Sequence, residues 1–252
     1  MLQQVQQPKA RRAGNLQVRL ARSETEIVEA QRLRYRVFAE ELGARLSPKT
    51  PGVDRDVFDP YCEHLVVHDQ DSDRIVGTYR ILSPAAARRI GCYYSESEFD
   101  LTRLHLLRGD MVEIGRSCID PEYRTGATIA LLWNGLARYM AQGDYRYMIG
   151  CASISMADGG HAAANIYSRL GRYLAPIEYR VFPRHPLPVD HLYTGQPAEL
   201  PALIKGYLRA GAWVGGDPAW DPDFNTADLL IMMSMARVDQ RYARHFLERQ
   251  AA

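Results

Sequence analysis

The sequence predicts one mixed α/β domain, a central β-sheet flanked by helices. Apolar runs bounded by turn residues alternate with stretches of helical periodicity. No internal repeat, low-complexity stretch or clean linker divides them. With 252 residues, 46% of them hydrophobic and 24% charged, the chain can bury a substantial core. Residues 1–14 are expected to be a flexible basic arm and 15–252 the single domain, with a C-terminal extension from about residue 185.

Each element has its own signal. Leu16 to Leu20 alternates as a first strand, and Ser23-Glu24-Thr25-Glu26 is a capping box. Ile27, Ala30, Leu33, Val37, Phe38 and Leu42 follow at helical spacing, and Gly43 suits the helix end. A loop runs from Ser47 to about Pro60. His64 to His68 and Arg74 to Leu82 read as a hairpin around the polar turn Asp69 to Asp73. Ala85 to Arg89 and Ser97 to Leu107 read as helix or loop, and Met111 to Ile119 as the central strand. Ile129, Leu132, Trp133, Leu136 and Met140 mark the next helix, and Tyr147 to Ile154 a further strand. Gly159-Gly160 leads into a helix over Ala162 to Leu170, ended by Gly171. The last third shows a strand near Tyr179 to Phe182, a helix near Ala202 to Ala210, a strand near Leu229 to Met233 and a terminal helix from Asp239.

Composition excludes several functions. A net charge of +1 offers no global attraction for nucleic acid. The four cysteines form no Cys-x-x-Cys pair and sit mostly in apolar runs, which fits buried, reduced thiols in the cytoplasm. The seven histidines show no ligand spacing, so no metal is expected. No signal peptide and no run long enough to span a bilayer is visible. The arm, with Lys9, Arg11 and Arg12, is either solvated or a contact for an acidic carrier or anionic lipid.

Met111 to Trp133 is the most informative segment. A buried-looking Glu113 and an Arg116 lie on the strand, and the small-residue loop Arg124-Thr125-Gly126-Ala127 opens a helix. The free amides and dipole of a helix N-terminus favour an anion. A glutamate just before it is placed to act as a general base, which suggests group transfer from a phosphopantetheine carrier. A salt bridge of Glu113 to Arg80 or Arg116 is the structural alternative. Strict alternation puts Glu113 and Arg116 on opposite faces, and a bulge at Gly115 would bring them to one cleft.

The chain resembles the GNAT acyltransferase superfamily in its acyl-carrier-protein-dependent branch. Arg34-Tyr-Arg-Val-Phe38, Asp56-Val-Phe-Asp59, Gly77-Thr-Tyr-Arg80 and Glu113-Ile-Gly-Arg116 resemble motifs of the acyl-homoserine-lactone synthases. Tyr61 to Val67, Tyr94 to Leu101, Glu113 to Asp120, Pro201 to Arg209 and Pro218 to Asn225 are similar to the ornithine-lipid N-acyltransferases, often labelled hemolysin-like. The matches run from about Arg32 to Phe246. The tryptophan common after the Arg-x-x-x-Phe motif of the lactone synthases is replaced here by Leu42-Gly43-Ala44, which favours the lipid branch.

The resemblance implies a GNAT-like acyl-CoA N-acyltransferase fold and transfer of a 3-hydroxyacyl chain from acyl carrier protein to the α-amine of L-ornithine. It implies no bound cofactor and peripheral work at the inner face of the cytoplasmic membrane. Glycine or another amine as acceptor, lactone-signal synthesis and a non-enzymatic membrane effector are the alternatives. Arg124, Thr125, Gly126, Ala127, Thr128 and Ile129 correspond to a contracted phosphate loop, or else form a simple strand-to-helix turn. Tyr167, four residues before Gly171, corresponds to the tyrosine that protonates the leaving thiolate, or else is an ordinary core aromatic. Arg34, Phe38, Asp56, Asp59, Arg80 and Arg116 match substrate-binding positions, or else form an ion-pair network. Asp221, Asp223 and Asp228 are candidates for a cationic acceptor side chain, and Leu104, Leu106, Leu107 and Trp133 for an acyl tunnel.

Overall fold

The computed structural model describes residues 15–46 and 50–238; the basic arm and the helix expected from Asp239 lie outside the described residues. In chain order the elements are β1 (Leu16–Leu20), α1 (Glu24–Tyr35), β2 (Glu63–Asp69), β3 (Arg74–Leu82), α2 (Pro84–Ile90), β4 (Phe99–Asp100), β5 (Met111–Ile119), α3 (Gly126–Gln142), β6 (Tyr147–Ser155), α4 (His161–Tyr167), β7 (Phe182–Pro183), α5 (Val189–Leu192), α6 (Ala202–Arg209), β8 (Trp213–Val214), β9 (Ala219–Asp221) and β10 (Thr226–Ser234).

The main sheet runs β1-β2-β3-β5-β6-β10-β8, with β9 also on β10. Its pairings are antiparallel except that of β5 with β6. A parallel pair needs a crossover, and α3 supplies it. Leu132, Leu136 and Met140 of α3 are buried with Leu65, Val67, Ile114 and Met148. Each such side chain contributes on the order of 1.5–3 kcal/mol on burial. The opposite face is covered by α1, through Ala30 and Leu33 against Val66 and Ile75, and by α2 and the segment after it, through Ala87, Tyr93 and Leu104 against Met111 and Ile149.

The helix starts are those the capping residues require. Ser23 Oγ accepts from Glu26 N at 3.3 Å, while the Glu26 carboxylate turns back to Arg22 N at 2.7 Å rather than to the Ser23 amide. A π-helical turn, Arg36–Glu41, continues α1 to Leu42, and Gly43 follows at φ +76°.

Three expectations need adjustment. The strand near Tyr179 shrinks to Phe182–Pro183 on β4, with a 3₁₀ turn at Ile177–Tyr179. Pro176 and Pro183 have no amide to extend a ladder there. The helix expected to Leu170 ends at Tyr167, because Arg169 and Leu170 donate to carbonyls three residues back. Conversely, β10 is longer than expected, pairing with β6 from Thr226 to Ser234.

Two features of β5 make a site. It pairs with β6 only at Met111↔Tyr147, Val112↔Met148 and Glu113↔Ile149, and beyond that point the strands part. Gly150 sits at the parting, where a Cβ would lie 2.3 Å from the Ile114 carbonyl oxygen. On its other edge, Arg80 opposes Gly115 but Thr78 opposes Cys118, so β5 carries an extra residue. Arg116 takes the left-handed turn of that bulge at φ +50°. The expected bulge is therefore present, one residue later than Gly115.

Candidate active site

A cavity of about 290 Å³ passes through the sheet where β5 and β6 part. Its walls include Glu113 to Ser117 of β5 and Met148 to Ser153 of β6. Phe38, Phe58, Tyr94 and Phe224 close it on the α1 side, and Tyr79, Leu203 and Tyr207 on the α3 side.

Glu113 is buried and fully oriented. Its Oε2 accepts from Tyr94 N at 2.6 Å, and its Oε1 accepts from Ser95 N at 2.7 Å and from the Ser95 hydroxyl. These donors open the 3₁₀ turn Tyr94–Ser97, so the carboxyl caps a helical N-terminus. Burial pushes the carboxyl above its ordinary pKa, while Ser95, Tyr94 and Arg80 pull against that rise. Three donors on about four lone-pair sites leave one free acceptor position. Neither Arg80 nor Arg116 forms an ion pair with Glu113; both spend their charges on aspartates.

The six proposed substrate positions divide into two layers. Phe38, Arg80 and Arg116 line the cavity, and Arg34, Asp56 and Asp59 stand behind them. Arg34 is fully buried, donating to Asp54 at 2.8 Å and to Asp59 at 2.6 and 3.2 Å. Arg80 meets Asp56 at 2.6 Å and Asp59 at 3.3 Å, and Arg116 meets Asp56 at 3.2 Å and Asp54 at 3.4 Å. The cluster thus balances arginines 34, 80 and 116 against aspartates 54, 56 and 59. Although burial opposes its charge, Arg34 and Arg80 hold the Asp59 carboxyl far below the ordinary range. His64, buried beside it, is lowered to about 4 by desolvation and so stays neutral. The Arg116 guanidinium stacks on Tyr94 and Phe224, with ring centroids 4.9 and 4.6 Å away.

The phosphate-loop residues form the first turn of α3. Thr125 caps it, with Thr128 N donating to Thr125 Oγ1 at 3.3 Å and the Thr128 hydroxyl to Tyr123 O at 2.7 Å. Gly126 and Ala127 are exposed in that turn, and Ile129 lies at its outer surface. The Gly126 and Ala127 amides have no carbonyl four residues back within the helix, whereas the Ile129 amide donates to Thr125 O at 3.3 Å. Arg124 is held by Glu41, at 2.6 Å from Nη2, and by the Ile119 carbonyl at 3.0 Å. Its guanidinium is shared with an acid rather than left open for a phosphate.

Tyr167 is not brought to the cavity. Its hydroxyl donates to Asp217, away from Glu113. The phenols that do line the cavity are Tyr79, Tyr94 and Tyr207, and the Tyr79 and Tyr207 hydroxyls lie 2.8 Å apart. Of the proposed tunnel residues, Leu104 is core and Leu106 is 92% exposed. Trp133 instead lines a second, apolar cavity of about 400 Å³ under α3 and α6, which shares Met148, Tyr207 and Met233 with the first. Asp54, Tyr94, Ser95 and Glu98 belong to the site without having been assigned chemistry from sequence. The run Tyr94-Ser-Glu-Ser-Glu98 stood out only within the Tyr94 to Leu101 resemblance, with no role attached to its residues.

Residues 33–134 match the acetyltransferase (GNAT) domain family. The chain is similar to the L-ornithine N(alpha)-acyltransferase of Brucella abortus, 36% identical across 93% of this chain and 90% of that protein. It is 38% identical to the enzyme of that name from Rhizobium meliloti, across 93% of this chain and 85% of the relative. Among solved structures, an N-acyl amino acid synthase from uncultured soil microbes superposes with a TM-score of 0.56 at 13% identity, covering 88% of this chain and 91% of that one. A CoA-dependent acyl-homoserine lactone synthase solved with SAM and isopentyl-CoA does so with a TM-score of 0.55 at 12% identity, over 93% and 89%.

Proposed function

The chain belongs to the L-ornithine N(α)-acyltransferase family and is an acyltransferase of the GNAT fold, and from that premise we propose that it transfers a 3-hydroxyacyl chain from acyl carrier protein to the α-amine of L-ornithine, giving lyso-ornithine lipid. One observation carries the chemistry: a buried, oriented Glu113 with a free acceptor site stands where β5 and β6 part. The neutral α-amine attacks the thioester carbonyl, the N–C bond forms and the C–S bond breaks. Glu113 takes the amine proton. Backbone amides released from the β5–β6 ladder stabilise the carbonyl oxygen, and a cavity phenol of the Tyr79–Tyr207 pair protonates the departing thiolate.

Two cavities that share the wall residues Met148, Tyr207 and Met233 suit the donor. The pantetheine arm enters between the parted strands, and the acyl chain continues under α3 along Met148, Met233 and Trp133. Phosphate contact falls to the exposed amides of Gly126 and Ala127. Arg80 and Arg116, fixed from behind by aspartates, present guanidinium N–H donors at the cavity wall to the acceptor α-carboxylate. The exposed Arg88, Arg89 and Arg103 offer a docking surface for an acidic carrier.

No described helix is long and apolar enough to cross a membrane. We place the enzyme in the cytoplasm, touching the anionic inner leaflet through the arm bearing Lys9, Arg11 and Arg12. Product release motivates this, because each methylene moved from water into lipid is worth about 0.8 kcal/mol. Deleting residues 1–14 should reduce sedimentation with anionic liposomes, and undiminished binding would refute the arm's role.

The test of the reaction is mass spectrometry of the product from purified protein, L-ornithine and 3-hydroxyacyl thioesters of carrier protein or of coenzyme A. N-acyl-ornithine from the carrier thioester, with apparent affinity falling as salt rises, is expected. Equal efficiency with both donors would defeat the carrier assignment. An acceptor other than ornithine would defeat the acceptor assignment.

A further inference from the structure

A second group of acids lies at the wall of the same cavity, Asp221 and Asp228, and just behind it, Glu98, and it is treated oppositely to the first. Glu98 follows the turn that caps Glu113, Asp228 is on β10 and Asp221 on β9, and all three are buried. Among the described residues, no lysine or arginine pairs with any of them. Asp221 spends Oδ1 on the Asp223 and Phe224 amides, at 2.8 and 3.1 Å. Both Glu98 oxygens and Asp228 Oδ1 are shielded from solvent and lack a well-formed hydrogen bond among the described residues, with each other, Cys151, Ser153 and Thr226 as polar neighbours. Glu98 is 9% and Asp228 4% exposed, and Asp228 forms part of the cavity wall. One carboxylate from each, with the Cys151 sulfur, lies within 4.8 Å of the others.

Buried carboxylates without a cation are costly unless they hold protons or receive a charge. Here burial, with Asp228 and Asp221 beside it, pushes the Glu98 carboxyl up to about 9, and burial also raises Asp228. The Cys151 thiol facing them is raised as well, first by burial. The group is therefore built for a positive partner that the described residues do not supply.

The position of the group identifies that partner. The Cys151 thiol is 3.4 Å from Ser95 Oγ, and Ser95 holds Glu113. Glu113, Cys151 and Asp228 share the wall of one cavity. A molecule with one amine at Glu113 directs a second amine, a few methylenes away, towards Asp228 and Glu98. We propose that Glu98 and Asp228 receive the side-chain ammonium of the acceptor amino acid and thereby select a diamino acid; this rests on the acceptor reading above. Asp221, also on the cavity wall, adds negative potential, and the neutral Arg–Asp cluster across the cavity leaves this end as its anionic pole.

The test compares kcat/KM for L-ornithine with that for L-norvaline, which has the same carbon chain without the second amine. Wild type should prefer ornithine. In Glu98→Gln and in Asp228→Asn that preference should fall roughly 10- to 100-fold, the range for losing a charged hydrogen bond, chiefly through the KM for ornithine. A ratio does not depend on the active fraction. Where a variant turns over neither substrate, calorimetric binding of the two amino acids to the full chain gives the corresponding preference as a ratio of Kd values, read against that of wild type. Wild-type preference for ornithine, retained within about threefold in both variants, overturns this site and leaves the reaction intact. Wild-type preference for norvaline overturns the acceptor assignment and this site with it. Loss of wild-type turnover on chelation assigns the three groups to a metal ion and also overturns the proposal.

Discussion

Glu113→Gln separates catalysis from architecture. The carboxamide keeps the volume, but its nitrogen is a donor. In the native site one oxygen accepts from Tyr94 N and the other from Ser95 N and the Ser95 hydroxyl. The amide oxygen serves one of these sets, and its nitrogen confronts the other. A buried donor left without an acceptor costs about 1–3 kcal/mol. For a chain of this size that corresponds to a fall in Tm of roughly 2–12 °C. Removing a charge from a buried position offsets part of the loss.

Turnover should respond far more. A general base contributes about 10²–10⁴ in rate, so kcat at saturating ornithine should fall at least about 100-fold. The pH profile is the second reading. Burial raises the Glu113 pKa, so activity should fall as pH drops through it, at a higher pH than an ordinary carboxylate would set. That acidic limb should vanish in the variant. Steady-state kinetics with carrier thioester, beside thermal unfolding of the same preparations, makes the comparison. Near-normal kcat, or an unchanged acidic limb, would show that Glu113 is a structural cap on the Tyr94–Ser97 turn and not the base.

Other outcomes follow from the same contacts. Arg34→Met leaves Asp54 and Asp59 without their main cation, which should cost about 3–5 kcal/mol and lower Tm by roughly 6–20 °C. Asp59 has a depressed folded pKa, so its stabilisation is present above the unfolded value near 4 and is lost as pH falls; the deficit of Arg34→Met should narrow towards pH 3, and a deficit independent of pH would refute the ion-pair account. Glu98 is raised to about 9, so its contribution is full below the unfolded value near 4.3 and fades as pH rises towards 9. Urea midpoints of Glu98→Gln should therefore gain on wild type between pH 5 and 9, and parallel curves would count against a buried protonated acid. Tyr167→Phe should lower turnover less than about 10-fold, below the range of a general acid, because the hydroxyl is held by Asp217; a larger loss restores it as proton donor.

Most elements were legible because they carry a period. The hairpin β2–β3, the strand Met111–Ile119 and the helix after Thr125 fall where apolar spacing and caps put them. The region from Tyr94 to Leu107 was not, because it is a series of 3₁₀ turns with a two-residue strand, held by side-chain contacts such as Tyr93 Oη to the Met111 carbonyl at 2.6 Å. That same region supplies Ser95 and Glu98. Asp54 was missed for a related reason: a loop acid reads as solvated until Arg34 is known to be buried beneath it.

The decisive feature is one residue of backbone. Period-2 alternation would send Glu113 and Arg116 to opposite faces. The bulge at Arg116 adds a residue to β5, so Arg116 turns to the face of Glu113, where it reaches Asp54, Asp56 and the Tyr94 hydroxyl. Cys118 is carried to that face too, packing with Ala30 and Leu33 of α1. A non-glycine residue in the left-handed region costs on the order of 1–2 kcal/mol, offset here by the ion pairs and the rings of Tyr94 and Phe224. The ion pairs at Arg116 and the parting of β5 from β6 thus belong to one strand distortion: the bulge disturbs the β3 edge while the β6 edge opens, and the opening admits a ligand beside Glu113. Sequence contains Arg116 but no local demand for positive φ; the contacts that accompany the bulge, with Asp54, Asp56 and Tyr94, come from distant parts of the chain.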